Sequence, residues 1–343
     1  MNILFTSAGR RVELLRAFRA AYGKLDLKGS ILAIDVDPLA PSLQVADRSY
    51  LVPPLRSPEY VPTLIDVCRR HEVNVIFPLI DPDISVLADA RVELEETGAR
   101  VAVVAKQAAE MISDKWLTVQ LFRSAGLATP LSWLPEHLRE TKVTYPLFIK
   151  PRRGSAGKLA FKVNNERELK FFCDYVPDPI IQEYLPGDEI TNDVVVDLDA
   201  NVLGVVSRRR IEVRSGEVAK GVTVYNPVVT QACVTLTHRL PAIGPITVQC
   251  ILKDGVPCFT EINARMGGGF PLGIVAGADS PQWLLGKLAG LPVEIPPLGS
   301  YQVGLHLTRF DDSFFVTEAQ YEQMEGNRLR PGRRAVSGTK LRP

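Results

Sequence analysis

Three segments of this chain combine residue types and spacings that could do chemistry. The first reads Phe148-Ile149-Lys150-Pro151-Arg152-Arg153-Gly154-Ser155-Ala156-Gly157-Lys158. A strand ends in a lysine, and a loop with two glycines, a serine and further cations precedes the next strand. Glycine permits positive φ and close approach of backbone N–H groups, so the loop can fold over a polyphosphate while Lys150 and Lys158 supply charge. It is not a G-x-x-x-x-G-K-[ST] loop, because no helix led by Ser or Thr follows Lys158. An ordinary basic hairpin turn has the same composition.

The second segment runs from Ile246 to Arg265, with Asp254-Gly255 as a turn signal between two apolar strands. Glu261 and Asn263 are two apart on a strand, so their side chains share a face. A three-residue loop (Asp254, Gly255, Val256) sets Gln249 opposite Glu261, whereas a two-residue loop sets Thr260 there. In the first register three oxygen-bearing side chains converge, a set suited to Mg²⁺, which takes one or two carboxylates plus waters and phosphates. A polar stripe on an edge hairpin is the alternative. Arg265 and the run Gly267-Gly268-Gly269 favour function, since three glycines cost folding entropy and serve close backbone approach. The third segment, Ile180-Ile181-Gln182-Glu183-Tyr184-Leu185-Pro186-Gly187-Asp188-Glu189, is an apolar strand entering a Pro-Gly break. The main chain of such a hinge can meet an adenine and the acid beyond it a ribose, although a plain strand and turn reads the same.

The elements that must position these groups change character along the chain. Up to about Val104 short apolar runs alternate with helical patterns, the rhythm of βαβ units and a parallel sheet. Strands are expected at Asn2–Phe5, Ile31–Asp35, Arg48–Val52, Val73–Pro78 and Arg100–Val104. Helices are expected at Val12–Tyr22, Tyr60–His71 and Asp83–Thr97. The turn Thr6 to Arg11 lies at the carboxyl end of the first strand, where doubly wound sheets bind ligands. Ser7, Gly9 and Arg10 (or Arg11) there could clamp a carboxylate or phosphate, or the arginines could simply be solvated. Asp35, Asp81 and Asp83 are further candidates for the cleft. A dinucleotide site would need G-x-G-x-x-G, and only Gly9 is present.

A helix is expected over Asp114–Ala125. From Leu147 onward the pattern is α+β, with strands at Leu147–Lys150, Ala160–Val163, Ile180–Tyr184, Ile190–Val196, Val202–Ser207, Pro245–Leu252 and Pro257–Ile262. One helix, Glu166–Tyr175, interrupts them, and the segment Arg208 to Asn226 reads as loop.

Composition narrows the classes. With 40 basic and 39 acidic residues the net charge is +1, so a protein built to neutralise nucleic acid is not expected. No apolar run approaches the roughly 18 residues of a membrane span, and the N-terminus has no signal-peptide pattern. Five scattered cysteines read as reduced thiols of a cytoplasmic protein, and four unpaired histidines make a zinc site or a Ser/His/Asp hydrolase a poor fit. The segment Gly326 to Pro343 holds six cations and no acid, which reads as a solvated tail or an anion contact.

In this order and at these separations, F-I-K-P-R-R-G-S-A-G-K, Q-E-Y-L-P-G-D-E and T-E-I-N-A-R resemble the ATP-grasp superfamily, in particular its members like the carbamoyl-phosphate synthase large subunit. The resemblance implies a Rossmann-like domain over 1–112 and a two-lobed ATP-grasp fold over 113–310. The lobes would be 113–186, bearing the lid, and 187–310, bearing the metal, with a basic extension over 311–343. It implies ATP and Mg²⁺. Lys115 and Lys150 would contact phosphates, and Gly154, Ser155, Gly157 and Lys158 would form the lid. Glu183, Tyr184 and Leu185 would form the adenine hinge, with Gln182 beside them among the nucleotide contacts, and Glu189 would hold the ribose. Gln249, Glu261 and Asn263 would ligate metal, Arg265 would steady the phosphoryl group, and Lys220 would stand near the γ-phosphate.

Gln249 stands where many members carry Asp, and the single grasp unit excludes a complete carbamoyl-phosphate synthase, which uses two. The expected reaction is phosphorylation of a small-molecule carboxylate and capture of the acyl phosphate by an amine. A homodimer is compatible with it. The rival readings are a nucleotide-binding sensor or scaffold without turnover and, more remotely, a nicotinamide-linked oxidoreductase.

Overall fold

The computed structural model describes residues 1–329 apart from 155, 156, 215 and 327. Its first layer is a five-stranded parallel sheet of β1 (Asn2–Thr6), β2 (Ile31–Asp35), β3 (Arg48–Leu51), β4 (Val73–Pro78) and β5 (Arg100–Val101). The order β3-β2-β1-β4-β5 reverses direction at β1, which opens a crevice at the carboxyl ends of β1 and β4. These strands are almost wholly apolar because helices cover both faces of the sheet. The stretch read as one helix from Asp83 to Thr97 is two, Asp81–Asp89 and Arg91–Glu95, parted at Ala90. The last strand pairs only over Arg100–Val101, short of Val104.

A second, four-stranded antiparallel sheet consists of β6 (Ser132–Trp133), β7 (Leu147–Pro151), β8 (Phe161–Val163) and β9 (Pro179–Glu183), ordered β6-β9-β7-β8. Leu147, Ile149, Val163, Leu169 and Ile181 form a small core that belongs to this sheet and its helix Glu166–Tyr175. The helix Lys115–Ser124 leads into it; Asp114 caps that helix, accepting from Trp116 N–H at 2.9 Å.

The third sheet has six strands: β10 (Asp188–Val196), β11 (Val202–Arg214), β12 (Glu217–Val224), β13 (Ile246–Lys253), β14 (Val256–Asn263) and β15 (His306–Thr308), ordered β14-β13-β10-β11-β12-β15. One hydrophobic cluster joins Leu4 and Ile76 of the first sheet with Val194 and Val248 of the third, so these two units share a core. The segment read as loop, Arg208 to Asn226, is mostly strand, the end of β11 and all of β12. Its charged residues hide the alternation because their inner face meets a cleft instead of apolar core. The helix Glu318–Gly326 returns to the first sheet, burying Met324 beside β3, and Leu329 N–H donates to Leu51 O at 2.9 Å. Arg330 onward, and with it most of the basic tail, lies outside the described residues. All five cysteines are free and four are buried. Among the described residues no helix is long and apolar enough to cross a membrane.

Candidate active site

The three sheets enclose a cleft of about 870 Å³, and the site can be followed around its walls. From the four-stranded sheet, β7 presents Phe148 and Lys150 on one face, with the Lys150 ammonium 5.6 Å from the Phe148 ring centre. Burial pushes that ammonium down to about 8; Glu261 and Glu189 oppose the shift and Lys115 adds to it. Lys115 Nζ donates to Gly154 O at 2.6 Å, so the helix start and the glycine loop meet on the cation. Gly154 and Gly157 both have positive φ, at 122° and 65°, which is the freedom the loop needs. Gly154, Gly157 and Lys158 line the cleft; Ser155 lies outside the described residues.

The strand β9 and the hinge after it form a second wall with Gln182, Glu183, Tyr184 and Leu185. Glu183 is tied down: its Oε1 accepts from Leu131 N–H at 3.0 Å and its Oε2 pairs with Lys253 at 3.0 Å. Buried Gln182 donates to Ser132 Oγ at 2.9 Å, and Lys162 stands 4.3 Å over the Tyr184 ring. Just past the hinge, Glu189 pairs with Arg210 at 3.1 Å.

The floor is the β13–β14 hairpin. Its loop has two residues, Asp254 and Gly255, both at positive φ as a type I′ turn requires. Gln249 nevertheless faces Glu261. A bulge at Thr260 inserts one residue, so the register shifts between Gln249 and Cys250 and the pairing of a three-residue loop is restored by another device. With its amide oriented to satisfy both ends, Gln249 donates to Glu261 Oε2 at 3.2 Å and accepts from Arg210 Nη2 at 2.7 Å. Asn263 follows on the same face, and Arg265 beyond it pairs with Asp81 at 2.7 Å.

The triple glycine has a specific reason. A Cβ on Gly268 would overlap the Arg11 guanidinium, and one on Gly269 would overlap that of Arg208. Arg208 is buried and held by Asp193 at 2.6 Å, so it cannot give way. Arg11 pairs with Glu217 at 2.9 Å, and Arg309 binds both Glu217 and the Gly268 carbonyl, at 3.3 and 2.6 Å.

Six expected residues are not brought to the cleft, Asp35 and Asp83 among them. Lys220 points away along β12 and pairs across the ladder with Glu212 at 2.6 Å, its side chain half exposed. Arg10 is exposed at the turn, and it is Arg11 that enters the cleft. Ser7 Oγ donates to Asp83 at 2.9 Å and Gly9 N–H to Asp35 at 2.8 Å, so carboxylates of the chain already occupy the donors expected to clamp an anion. Asp83, also bound by Thr6, is fully buried and burial pushes its carboxyl up to about 6. Conversely, Arg208, Arg210, Glu217 and Arg309 went unassigned in the sequence. For Arg208 and Arg210 the period of two within Arg208-Arg209-Arg210 is the signal that would have found them.

Against known families, residues 112–269 match the ATP-grasp domain and residues 3–102 match the PylC-like N-terminal domain. The chain carries an ATP-grasp domain behind a PylC-like N-terminal domain. Over 253 residues it is 24% identical to the 3-methyl-D-ornithine–L-lysine ligase of Methanosarcina barkeri, covering 73% of this chain and 64% of that protein. Over 200 residues it is 24% identical to the carbamoyl phosphate synthase large chain of Sulfurisphaera tokodaii, covering 52% of this chain and 19% of that one. The chain thus spans less than two thirds of the length of these relatives. The biotin carboxylase domain of Hydrogenobacter thermophilus 2-oxoglutarate carboxylase, solved with MgADP, ADP and bicarbonate, superposes with a TM-score of 0.71 at 18% identity, covering 89% of this chain and 73% of that one. That likeness establishes the fold. The cleft described above lies largely inside the ATP-grasp domain, while Arg11 and Asp81 reach it from the PylC-like N-terminal domain.

Proposed function

We propose that this protein is an ATP-dependent ligase that joins a small-molecule carboxylate to an amine. The observation that carries the reading is the meeting, in one cleft, of Lys150 from the four-stranded sheet and Lys115 from the start of a helix with Glu261 and Asn263 from the six-stranded sheet. Cations on one wall and hard oxygens on the other are what a metal–polyphosphate needs. The residues fit such a ligand on a further count: the buried Nε atoms of Arg210 and Arg265, both on the cleft, have no hydrogen-bond partner among the described residues.

Bound Mg·ATP supplies the phosphoryl group that converts a carboxylate to an acyl phosphate. Lys150 and Lys115 hold phosphate oxygens, Glu261 and Asn263 hold the metal, the hinge from Gln182 to Leu185 receives adenine and Glu189 the ribose. Arg265, its Nη2 fixed by Asp81, presents its remaining donors to the oxygens on which charge develops. The loop from Gly154 to Lys158 excludes water from the activated carboxylate. In this reading residues 113–186 are the lid lobe, 187–310 the metal lobe and 1–112 the wall that faces the acceptor substrates.

The test is ADP release with Mg²⁺ and ATP over a panel of amino acids and amines. Glu261→Gln should lower turnover about 100-fold or more while the protein stays folded. Full turnover in that variant would remove the metal assignment.

A further inference from the structure

Arg210 sits among groups that ought to belong to a metal. From β11 its side chain reaches over β10, where Nη1 pairs with Glu189 at 3.1 Å, and on to β13, where Nη2 donates to the Gln249 amide oxygen at 2.7 Å. The Gln249 amide nitrogen in turn donates to Glu261 Oε2 at 3.2 Å. A continuous chain, Glu189–Arg210–Gln249–Glu261, therefore runs across the sheet.

The oxygen of Gln249 already accepts from a guanidinium, so a metal bound there would have to share that oxygen with a fixed cation. The other end of the amide, an N–H₂ group, repels a cation. A dication seated on Gln249 would also lie beside the fixed positive charge of Arg210, whose surroundings hold Arg208 as a second cation together with Glu189, Glu261 and Asp193, the last already paired with Arg208. The guanidinium itself suits phosphate: it is planar and forked, permanently charged, and its buried Nε has no partner among the described residues.

We propose that Arg210 takes the place of one divalent cation, so that the cleft binds ATP with a single metal ion on Glu261 and Asn263. Gln249 is then a positioning residue that aims Arg210, not a metal ligand. This inference rests on the Mg·ATP reading above.

Mn²⁺ bound per chain can be counted by electron paramagnetic resonance on the full chain with saturating β,γ-imido-ATP. The wild type and Arg210→Lys should hold one ion, Arg210→Gln two, and Gln249→Met one with an unchanged Mn²⁺ dissociation constant. Two ions in the wild type, one in a folded Arg210→Gln, or a tenfold weaker Mn²⁺ in Gln249→Met would each overturn the proposal. If Arg210→Gln does not fold, the wild-type count and Gln249→Met still decide it. Failure of the wild type to bind the nucleotide at all, read as no rise in Tm, would instead overturn the Mg·ATP reading and this proposal with it.

Discussion

Lys150 is under two opposed pressures. The walls of the cleft desolvate it, which favours the neutral amine, while Glu261 favours the ammonium, and the outcome is a group that titrates near 8. Polyphosphate would add strong negative charge and raise that value, so nucleotide binding should draw a proton from solution. Uptake should be small at pH 6.5, where Lys150 is already charged, and largest a little above pH 8. Affinity should fall as pH climbs through that range. Calorimetry in buffers of different ionisation enthalpy measures the uptake directly; none at pH 8.5, or the same uptake in Lys150→Met, would show that Lys150 does not meet phosphate. The unliganded protein carries the complementary signature. Its Lys150 binds fewer protons than an unfolded lysine between about 8 and 10.5, so this residue makes stability rise with pH across that window.

At the scale of elements, the hairpin and the glycine run show two ways of setting a floor. The bulge at Thr260 brings Gln249 opposite Glu261, and the glycines let two arginines lie against bare backbone. Gly269→Ala would push a methyl group into Arg208, which Asp193 pins, and should cost about 1–3 kcal/mol, the usual range for overpacking. Gly23 offers the contrast. It lies in the helix Val12–Lys24 at ordinary φ, with nothing within 4 Å of an added Cβ. Gly23→Ala should therefore stabilise by about 0.5–1 kcal/mol. Urea unfolding of the two variants separates the cases; equal shifts of either sign would mean that close approach is not what the triple glycine serves.

The whole molecule meets at the cleft. Asp81 binds Arg265, Arg11 binds Glu217, and Arg309 binds Glu13, so three ion pairs tie the N-terminal domain to the glycine run and its surroundings. Asp81 also keeps a buried Oδ1 without a hydrogen-bond partner among the described residues, which leaves its hold on Arg265 as its evident role. Asp81→Asn keeps the shape and removes the charge. It should lower kcat about tenfold, equivalent to roughly 1.4 kcal/mol of activation free energy, with ATP affinity within a factor of two of wild type. A matching loss of ATP affinity would place Asp81 in nucleotide binding and not in the aim of Arg265.

Much of this was legible in order along the chain. The parallel rhythm of the first hundred residues, the basic glycine loop, the Pro-Gly hinge and the paired Glu261 and Asn263 rest on local propensity and periodicity, which sequence determines directly. The signal failed where a residue's role depends on what lies across from it. Lys220 sits in a recognisable place yet is claimed by Glu212 on the next strand, and Ser7 and Gly9 form a promising turn whose donors Asp83 and Asp35 take. Arg208 and Arg210 read as loop residues because charge masked the alternation of β11. Gln249 reached Glu261 through a bulge that no turn rule contains. Sequence by itself determined which groups are available and on which face of their own strand they stand. Only the tertiary structure decided which carboxylate each cation meets, because ion pairing and burial are settled by strands distant in the chain that the sheet brings within about 3 Å.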